Sequence, residues 1–347
     1  MNHSNESRTE KPQVVVVTGA SAGVGRAVVR EFARRGAHIG LLARGKDGLN
    51  AATREVELAG GKALSIPVDM ADAQAVEDAA DQIEQVLGPI DIWINNAMVT
   101  IFAPFRQITA DEFRRVTEVT YLGNVHGTRA ALKHMLPRDR GTIVQVSSAL
   151  AFRSIPLQSA YCGAKHAITG YTDSLRSELL HDKSHVRITE VQLPAINTPQ
   201  FGWARNRMPK RPQPVPPIFE PEVAAQAIVW ATEQNRRRVT VGYPTILARC
   251  AQWLAPGVAD RYLGSVGYRA QQIESEPDED DRPDNLFTPI EGDQGAQGRF
   301  SDRARSRSPA LWATEHRNWL LLGAVAGLGA LLWTHHETSR PRLSRMR

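Results

Sequence analysis

The chain has 347 residues, 42% of them hydrophobic, and its 42 Lys and Arg against 37 Asp and Glu leave a formal net charge of +5. This length and composition predict a globular protein with a sizeable core. The charge is modest and concentrated in the C-terminal tail, which argues against a nucleic-acid partner. Two cysteines, Cys162 and Cys250, provide no disulfide framework, which is typical of a reducing compartment. We see no His, Cys and carboxylate spacing that indicates a metal site.

The first predicted elements are a strand, a glycine-rich turn and a helix. Residues 1–11 are polar, without the apolar run of a signal peptide, and we expect them to be flexible. Val14–Val17 is a β-branched run suited to a strand that is buried on both faces. It leads into Thr18–Gly25 and then into Arg26–Arg35, which has helical spacing. A glycine-rich turn between a strand and a helix is the context of a dinucleotide-binding fingerprint.

Each glycine of the turn has a physical role in such a site. Gly19 permits the tight turn, Gly23 lets the backbone approach a pyrophosphate, and Gly25 lets the helix pack closely on the strand. The start of the helix offers free N–H groups and the positive end of its dipole to that pyrophosphate. The residues of this turn that we predict to contact the dinucleotide are Gly19, Ser21, Gly23, Val24 and Gly25.

The second predicted strand bears on the choice of cofactor. Ala37–Leu42 is followed by Ala43 and Arg44. An NAD site usually places a carboxylate here for the ribose 2′-hydroxyl, whereas an arginine accommodates the 2′-phosphate of NADP. Ala43 has no charge to repel phosphate, and Arg44 can bind it through charge-assisted hydrogen bonds. The pattern favours NADP(H) over NAD; the alternative is that Arg44 is a solvated loop charge.

A tyrosine and a lysine four residues apart are the candidate catalytic pair. Tyr161 and Lys165 lie within the predicted helix Ser159–Leu180, where residues four apart are neighbours. A nearby ammonium favours the phenolate and lowers the tyrosine pKa from its usual value of ~10. Ser148 ends the strand-like run Gly141–Ser148, and its hydroxyl could bond the same substrate oxygen. The set suits proton transfer to or from an oxygen while another group moves a hydride; the alternative is that Tyr161 is an amphipathic core residue.

The other segments alternate between strands and helices. The strand-like segments are Lys62–Val68, Ile90–Asn95, Thr142–Ser147, Val186–Leu193 and Arg238–Tyr243, and the helical segments are Ala71–Leu87, Asp111–Leu136, Ser159–Leu180 and Pro221–Gln234. This alternation predicts the α/β class, with a doubly wound parallel sheet covered by helices on both faces, over residues 12–245. Ligands of such sheets bind beyond the carboxyl ends of the strands. Gly19–Gly25, Asn95, Ser148 and Pro194–Thr198 all follow strands, so one cleft can collect them.

Six motifs in chain order match those of a known family. They are Thr18–Gly25, Asp69 after the third strand, Asn95-Asn96-Ala97 after the fourth, Ser148, Tyr161 with Lys165, and Pro194–Thr198. Over about residues 12–245 the chain resembles the short-chain dehydrogenase/reductase family in its single-domain Rossmann form. The resemblance implies a nicotinamide-dependent oxidoreductase. It also implies a homo-oligomer, a dimer or tetramer, built from the helices within Asp111–Leu136 and Ser159–Leu180.

The resemblance implies a role for each motif residue. Tyr161 would be the general acid/base, Lys165 would lower its pKa and bind the nicotinamide ribose, and Ser148 would hold the substrate oxygen. The further cofactor contacts that it implies are Asp69 at the adenine, Asn95 and Ala97 in the cleft, and Thr198 at the nicotinamide carboxamide or the diphosphate. Cofactor and substrate oxygen would therefore meet at one site.

Two positions depart from the family pattern. The family's Asn-x-x-Gly element, whose asparagine anchors a water relay to the lysine, reads Thr120-Tyr121-Leu122-Gly123 here. We do not expect Asn124, one turn further along the helix, to replace that asparagine. Met98 stands where glycine usually follows Asn-Asn-Ala, and it places a bulky thioether near the cleft. Both changes bear on the proton relay and on the shape of the active site.

The segment Gln200–Phe219 is rich in proline and arginine, and the resemblance implies that it forms the lid over the substrate. Phe201 and Trp203 favour an apolar ligand. Arg205, Arg207 and Arg211 would meet either an anionic group or water. We therefore expect a lipophilic substrate that carries a carbonyl or alcohol group.

Three segments follow the core. Residues 246–271 have the spacing of an amphipathic helical extension, which would cover the substrate cleft, join a subunit interface or lie on a membrane. Residues 272–310 combine low hydrophobicity with dense charge, which predicts a disordered linker. Residues 311–347 contain the uncharged run Trp319–Trp333, which as a helix spans roughly 22 Å of a ~30 Å hydrocarbon core. We favour a membrane tail over a docked helix, with a cytoplasmic catalytic domain tethered by it.

The sequence thus predicts an NADP(H)-dependent oxidoreductase that interconverts a carbonyl and an alcohol on a lipophilic substrate. One alternative is a 3-oxoacyl-thioester reductase of the same fold. Another is a non-enzymatic NADP(H)-binding adaptor at a membrane, which Thr120 in place of asparagine mildly favours. Ser148, Tyr161 and Lys165 argue against the adaptor.

Overall fold

Seven parallel strands form the central sheet in the computed structural model, which describes residues 11–279, 281–317, 319–320 and 322. The strands are β1 (Val14–Thr18), β2 (His38–Ala43), β3 (Ala63–Pro67), β4 (Ile90–Asn95), β5 (Thr142–Ser148), β6 (Arg187–Leu193) and β7 (Arg238–Thr240). Their spatial order is β7-β6-β5-β4-β1-β2-β3, with every pair parallel. The order reverses between β1 and β4, so a crevice opens beyond their carboxyl ends.

Eleven α-helices lie within the described residues. They are α1 (Gly23–Arg34), α2 (Lys46–Leu58), α3 (Ala73–Leu87), α4 (Ala110–Thr117), α5 (Gly123–Met135), α6 (Ser159–His181), α7 (Gln200–Trp203), α8 (Pro221–Glu233), α9 (Tyr243–Leu254), α10 (Pro256–Ala270) and α11 (Pro309–Glu315). Helices α1, α2 and α8 cover one face of the sheet, and α3, α5 and α6 cover the other. The predicted parallel sheet with helices on both faces is confirmed.

The first strand illustrates why the sheet is buried on both faces. Val15 and Val17 pack into the cluster beneath α1, α2 and α8, whereas Val14 and Val16 pack into the opposite cluster. Successive side chains of a strand point to opposite faces, so a run of four valines fills both layers. Their exposure does not exceed 3%.

Two predicted helices are interrupted. The segment predicted as one helix over Asp111–Leu136 contains α4 and α5 with a π-helical turn, Glu118–Leu122, between them. The C-terminal extension breaks at Ala255, whose φ of −149° lies outside the helical region, between α9 and α10. Pro256 explains that break, because a proline disfavours the helical conformation of the residue before it.

The charged segment after α10 follows a defined path, which differs from the disordered linker that its composition predicts. Gln272–Pro277 pairs antiparallel with Lys210–Pro212, and Ala304–Arg305 pairs parallel with Ile218–Phe219. Its acidic residues reach arginines of the preceding loops; Asp284, for example, lies 2.8 Å from Arg205. The charges that suggest disorder are therefore paired across the fold.

Helix α11 lies beside β7, with Leu311 buried. No helix among the described residues is long and apolar enough to cross a membrane. Of the predicted membrane segment Trp319–Trp333, the structure describes only residues 319, 320 and 322, and the rest lies outside the described residues. The predicted flexible N-terminus, apart from residue 11, also lies outside them.

Candidate active site

Three positions of the turn between β1 and α1 require glycine. Gly19 has φ +67° and Gly23 has φ +58°, a region that side chains disfavour. A Cβ on Gly25 would lie 2.1 Å from the carbonyl oxygen of Gly19, and a Cβ on Gly19 would lie 2.9 Å from Cα of Ala97. The turn therefore packs directly on the loop after β4 and leaves the N-terminus of α1 facing the crevice. This cradle fits a pyrophosphate.

A cavity of about 200 Å³ lies in the crevice. The predicted cofactor residues that line it are Gly19, Ser21, Gly23, Val24, Arg44, Asp69, Ala97 and Thr198. Met98 also lines it, as its position in the sequence predicts. Gly25 lies behind the turn, where it permits the close packing of α1.

Asn95 does not line this cavity, contrary to the prediction. Its side-chain amide donates to Thr128 at 2.9 Å and to Gln145 at 3.0 Å, and its oxygen accepts from Trp93. The next residue, Asn96, lines the cavity and donates from its side chain to the carbonyl of residue 18 at 3.0 Å. Neighbouring residues in extended backbone point in opposite directions, so an Asn-Asn pair places one side chain below the cleft and one beside it.

Arg44 and Asp69 form the charged end of the cavity, and Arg115 lies against Asp69. Burial lowers the pKa of Arg44, the nearby charge of Arg115 lowers it further, and Asp69 opposes both effects. Arg115 also donates to the carboxylate of Asp69. Burial tends to raise the pKa of Asp69, but that hydrogen bond and others outweigh it, so the pKa falls below its usual value. Arg115 was not among the residues predicted for the site, because nothing local in the sequence connects α4 to the end of β3.

The three predicted catalytic residues lie together at the carboxyl edge of the sheet. The side chain of Ser148 lies near enough to the phenol of Tyr161 to affect its pKa, and its Oγ accepts from the backbone N–H of Leu150 at 3.2 Å. Nζ of Lys165 lies 5.5 Å from the centre of the Tyr161 ring and donates to the carbonyl of Val146 at 2.7 Å. Strand β5 and helix α6 therefore bring serine, tyrosine and lysine into one group.

The pKa values of this pair differ from the prediction. Burial raises the pKa of Tyr161, and the hydrogen bond with Ser148 opposes that rise. Burial lowers the pKa of Lys165 to about 8, against the effect of the Glu190 carboxylate. The expected acidification of the phenol by the ammonium is therefore not what the structure shows. Burial disfavours the charged form of both groups, and it is the largest cause of both shifts.

Thr120 holds the loop after β4 onto the π-helical turn. Its buried hydroxyl donates to the carbonyl of Val99 at 2.9 Å and accepts from the N–H of Val99 at 3.1 Å. The side chain of Asn124 instead accepts a hydrogen bond from Tyr171. The side chain of Thr120 is thus hydrogen-bonded to Val99, and that of Asn124 to Tyr171.

The arginines of the predicted lid are paired with carboxylates. Arg205 lies 2.9 Å from Glu112 as well as 2.8 Å from Asp284, and Arg207 also contacts Glu112. Arg211 lies 2.7 Å from Glu279. The prediction offered an anionic ligand or water for these side chains, whereas in the structure they are bonded within the protein.

Such a fold and site define a dinucleotide-binding oxidoreductase, with its glycine cradle and its Ser, Tyr and Lys group at the edge of one sheet. The family model for short chain dehydrogenases matches residues 13–208. The chain belongs to the short-chain dehydrogenase family.

Known proteins resemble the chain well beyond the N-terminal motifs. The uncharacterized oxidoreductase YxnA of Bacillus subtilis (strain 168) is 32% identical over 76% of this chain and 75% of its own length. A fatty acyl-CoA reductase of Acinetobacter baylyi is 29% identical over 74% and 85%. The crystal structure of a short chain dehydrogenase from Mycobacterium paratuberculosis bound to NAD superposes with a TM-score of 0.59, at 25% identity, over 66% of this chain and 96% of that one.

Proposed function

We propose that the protein is an NADP(H)-dependent oxidoreductase that interconverts a carbonyl and an alcohol, with Tyr161 as the general acid/base. The observation that carries this proposal is the grouping of Ser148, Tyr161 and Lys165 at the carboxyl edge of the sheet, with Nζ of Lys165 5.5 Å from the centre of the Tyr161 ring. When bound, the nicotinamide supplies the hydride in the reducing direction. Membership of the short-chain dehydrogenase family supports the class of reaction.

Proton transfer falls to the side chains of this group. The phenol of Tyr161 is protonated at neutral pH and is the group that donates a proton to the oxygen of the reduced substrate. Burial raises its pKa and so makes the unliganded phenol a weaker acid. Ser148 donates a hydrogen bond to the same oxygen and orients it. Lys165, protonated below about pH 8, stabilises the phenolate that remains after the transfer.

The charged end of the cavity supports NADP(H) as the cofactor. The arginines Arg44 and Arg115 lie close enough that the charge of one lowers the pKa of the other, and a 2′-phosphate would relieve that repulsion. Ala43, which lines the cavity, has no carboxylate to repel it. The similar Mycobacterium paratuberculosis enzyme was solved with NAD, so NAD is the competing cofactor.

The apolar walls support a lipophilic substrate. Met98, Val99 and Trp203 line the cavity, and Phe201 lies 6.0 Å from Phe102, ring centre to ring centre. The second candidate substrate is an acyl thioester, which the similarity to a fatty acyl-CoA reductase favours.

A panel assay tests the reaction and the substrate class together. The purified chain is given NADPH with lipophilic ketones and aldehydes and with 3-oxoacyl and acyl thioesters, and the absorbance of NADPH is followed. We expect oxidation of NADPH with at least one lipophilic carbonyl. Reduction confined to thioesters would select the second candidate, and no oxidation with any compound would contradict an enzymatic function.

We also propose a homo-oligomer and attachment to a membrane through residues 319–333. Exposed apolar side chains on α9 and α10 support a contact surface there; they include Trp253 at 84%, Leu254 at 70% and Tyr262 at 64% exposure. Sedimentation velocity tests the oligomer, and flotation with lipid vesicles tests the membrane attachment. A monomer would contradict the first proposal, and a chain that does not float with the vesicles would contradict the second.

A further inference from the structure

Residues 285–300, here called the strap, lie across the cofactor cavity. Asn285, Pro289, Ile290, Gly292 and Gln294 of the strap form part of the cavity wall. The cavity volume of about 200 Å³ is below the roughly 300–1,000 Å³ of typical small-molecule sites. The strap therefore narrows the crevice in which a dinucleotide must fit.

The backbone carbonyls of the strap also accept hydrogen bonds from groups that would bind the phosphates of a dinucleotide. The guanidinium of Arg44 donates to the carbonyl of Asn285 and, at 2.9 Å, to that of Phe287. At the other end of the cavity, the N–H of Gly23 donates to the carbonyl of Gly295 at 3.0 Å. Free N–H groups at the start of α1 and the fork of Arg44 are the donors expected for a pyrophosphate and a 2′-phosphate.

Anchors at both ends keep the strap in this position. Leu286 is fully buried in the cluster that contains Val99 and Val116. Phe300 is 3% exposed, and its N–H donates to the side chain of Asn197 at 3.0 Å. Between these anchors most residues of the strap are exposed. Ala296 is nevertheless fully buried in the cluster beneath α1, α2 and α8, and Asp293 lies 3.2 Å from Arg26, so the strap is also held between its ends.

We propose that the strap is an autoinhibitory element that competes with the cofactor for Gly23 and Arg44 and is displaced when the cofactor binds. The proposal rests on the cofactor assignment of the proposed function. The single N–H of Gly23 cannot serve the strap and a phosphate together, and the strap carbonyls occupy donors on both terminal nitrogens of Arg44. The apparent affinity for the cofactor is therefore reduced by the fraction of molecules in which the strap is closed.

Loosening the strap at a residue that does not itself line the cavity tests this competition. Leu286→Ser removes the apolar anchor, and Leu286 is not a cavity-lining residue. The matched control is Leu180→Ser on α6, where the leucine is 72% exposed. We expect fluorescence titration to give NADPH a Kd about tenfold lower in Leu286→Ser than in the wild type or the control. The affinity for NADH should increase less, because NADH has no 2′-phosphate for Arg44 to bind. Should Leu286→Ser fail to fold, Asp284→Ala, which removes the pairing with Arg205, takes its place.

Hydrogen exchange measures the displacement itself. NADPH should accelerate exchange of the strap amides in the wild-type chain, including that of Gly292, which donates to Asp47 at 2.9 Å. Slower exchange on binding, or an unchanged or weaker affinity in Leu286→Ser, would overturn the proposal while leaving the cofactor assignment intact. Failure of every variant to bind either dinucleotide would contradict the cofactor assignment and the competition with it.

Discussion

Removing one hydroxyl group from α6 tests the proposed chemistry most directly. Tyr161→Phe deletes the proton donor beside Ser148 but keeps the ring. General acid–base catalysis contributes about 10²–10⁴-fold to rate, so we expect kcat to fall by about 10³-fold. The Kd for NADPH should hardly change, because the glycine turn and Arg44 are untouched.

Tyr171→Phe is the matched control, ten residues further along the same helix. Burial raises the pKa of this phenol as well, so a shifted pKa does not distinguish the two tyrosines. The hydroxyl of Tyr171 accepts from Gln145 at 2.9 Å and lies 3.1 Å from Oγ1 of Thr128. Leaving such buried groups without a partner costs about 1–3 kcal/mol. The control should therefore lose a few degrees of Tm and keep its kcat per folded molecule.

The assay combines NADPH oxidation with thermal unfolding on both variants. We expect activity and stability to separate: Tyr161→Phe should be inactive with a near-normal Tm, and Tyr171→Phe should be active with a lower Tm. A rate for Tyr161→Phe within a few-fold of the wild type would refute the catalytic assignment. Equal loss of activity in both variants would show that the phenol at residue 161 has no special role.

Three further predictions concern the cofactor, the lysine and the glycine turn. Arg44→Asp should weaken NADPH binding about 10–100-fold more than NADH binding, as loss of a charge-assisted bond implies, and equal loss in titrations of both would contradict the NADP(H) assignment. Lys165 loses its proton as pH rises through about 8, so the reductive kcat should fall above that pH. This limb of the pH–rate profile should be absent from Lys165→Met, and its persistence there would assign it to another group. Gly25→Ala places a Cβ 2.1 Å from a backbone oxygen and should lower Tm and abolish NADPH binding, whereas Gly170→Ala, which meets nothing within 4 Å, should leave both unchanged.

Local sequence patterns were sufficient for much of the fold and of the cavity. The valine run, the glycine turn and the alternation of segments determine where backbone can be buried and where it must turn, and those features depend on near neighbours. The position of Arg44 at the end of β2 follows from the same reasoning, and it lines the cavity. Ser148, Tyr161 and Lys165 come together because a strand and the helix after it meet at the carboxyl edge of a parallel sheet.

The predictions that differ from the structure concern residues whose partners are distant in the chain. Asn95 follows its strand as a cleft residue should, yet Thr128 and Gln145 hold its side chain below the cleft. The charged segment has the composition of a disordered chain, but its Asp284 forms a salt bridge with the distant Arg205. The pKa of Tyr161 depends on how deeply the fold buries it. The spacing of residues in the sequence does not show which distant side chains become partners or how deeply a residue is buried.

The distance along the chain between Arg44 and the strap has a consequence for protein synthesis. Arg44 and Asn285, which it contacts, are 241 residues apart. At about 5–20 residues per second, the ribosome needs about 3–12 s to add the roughly 60 residues from β7 to the end of the strap. In that interval the nascent chain can complete its sheet while the start of α1 is still uncovered. The newly made domain therefore meets the cellular pool of dinucleotide before its own C-terminal segment arrives.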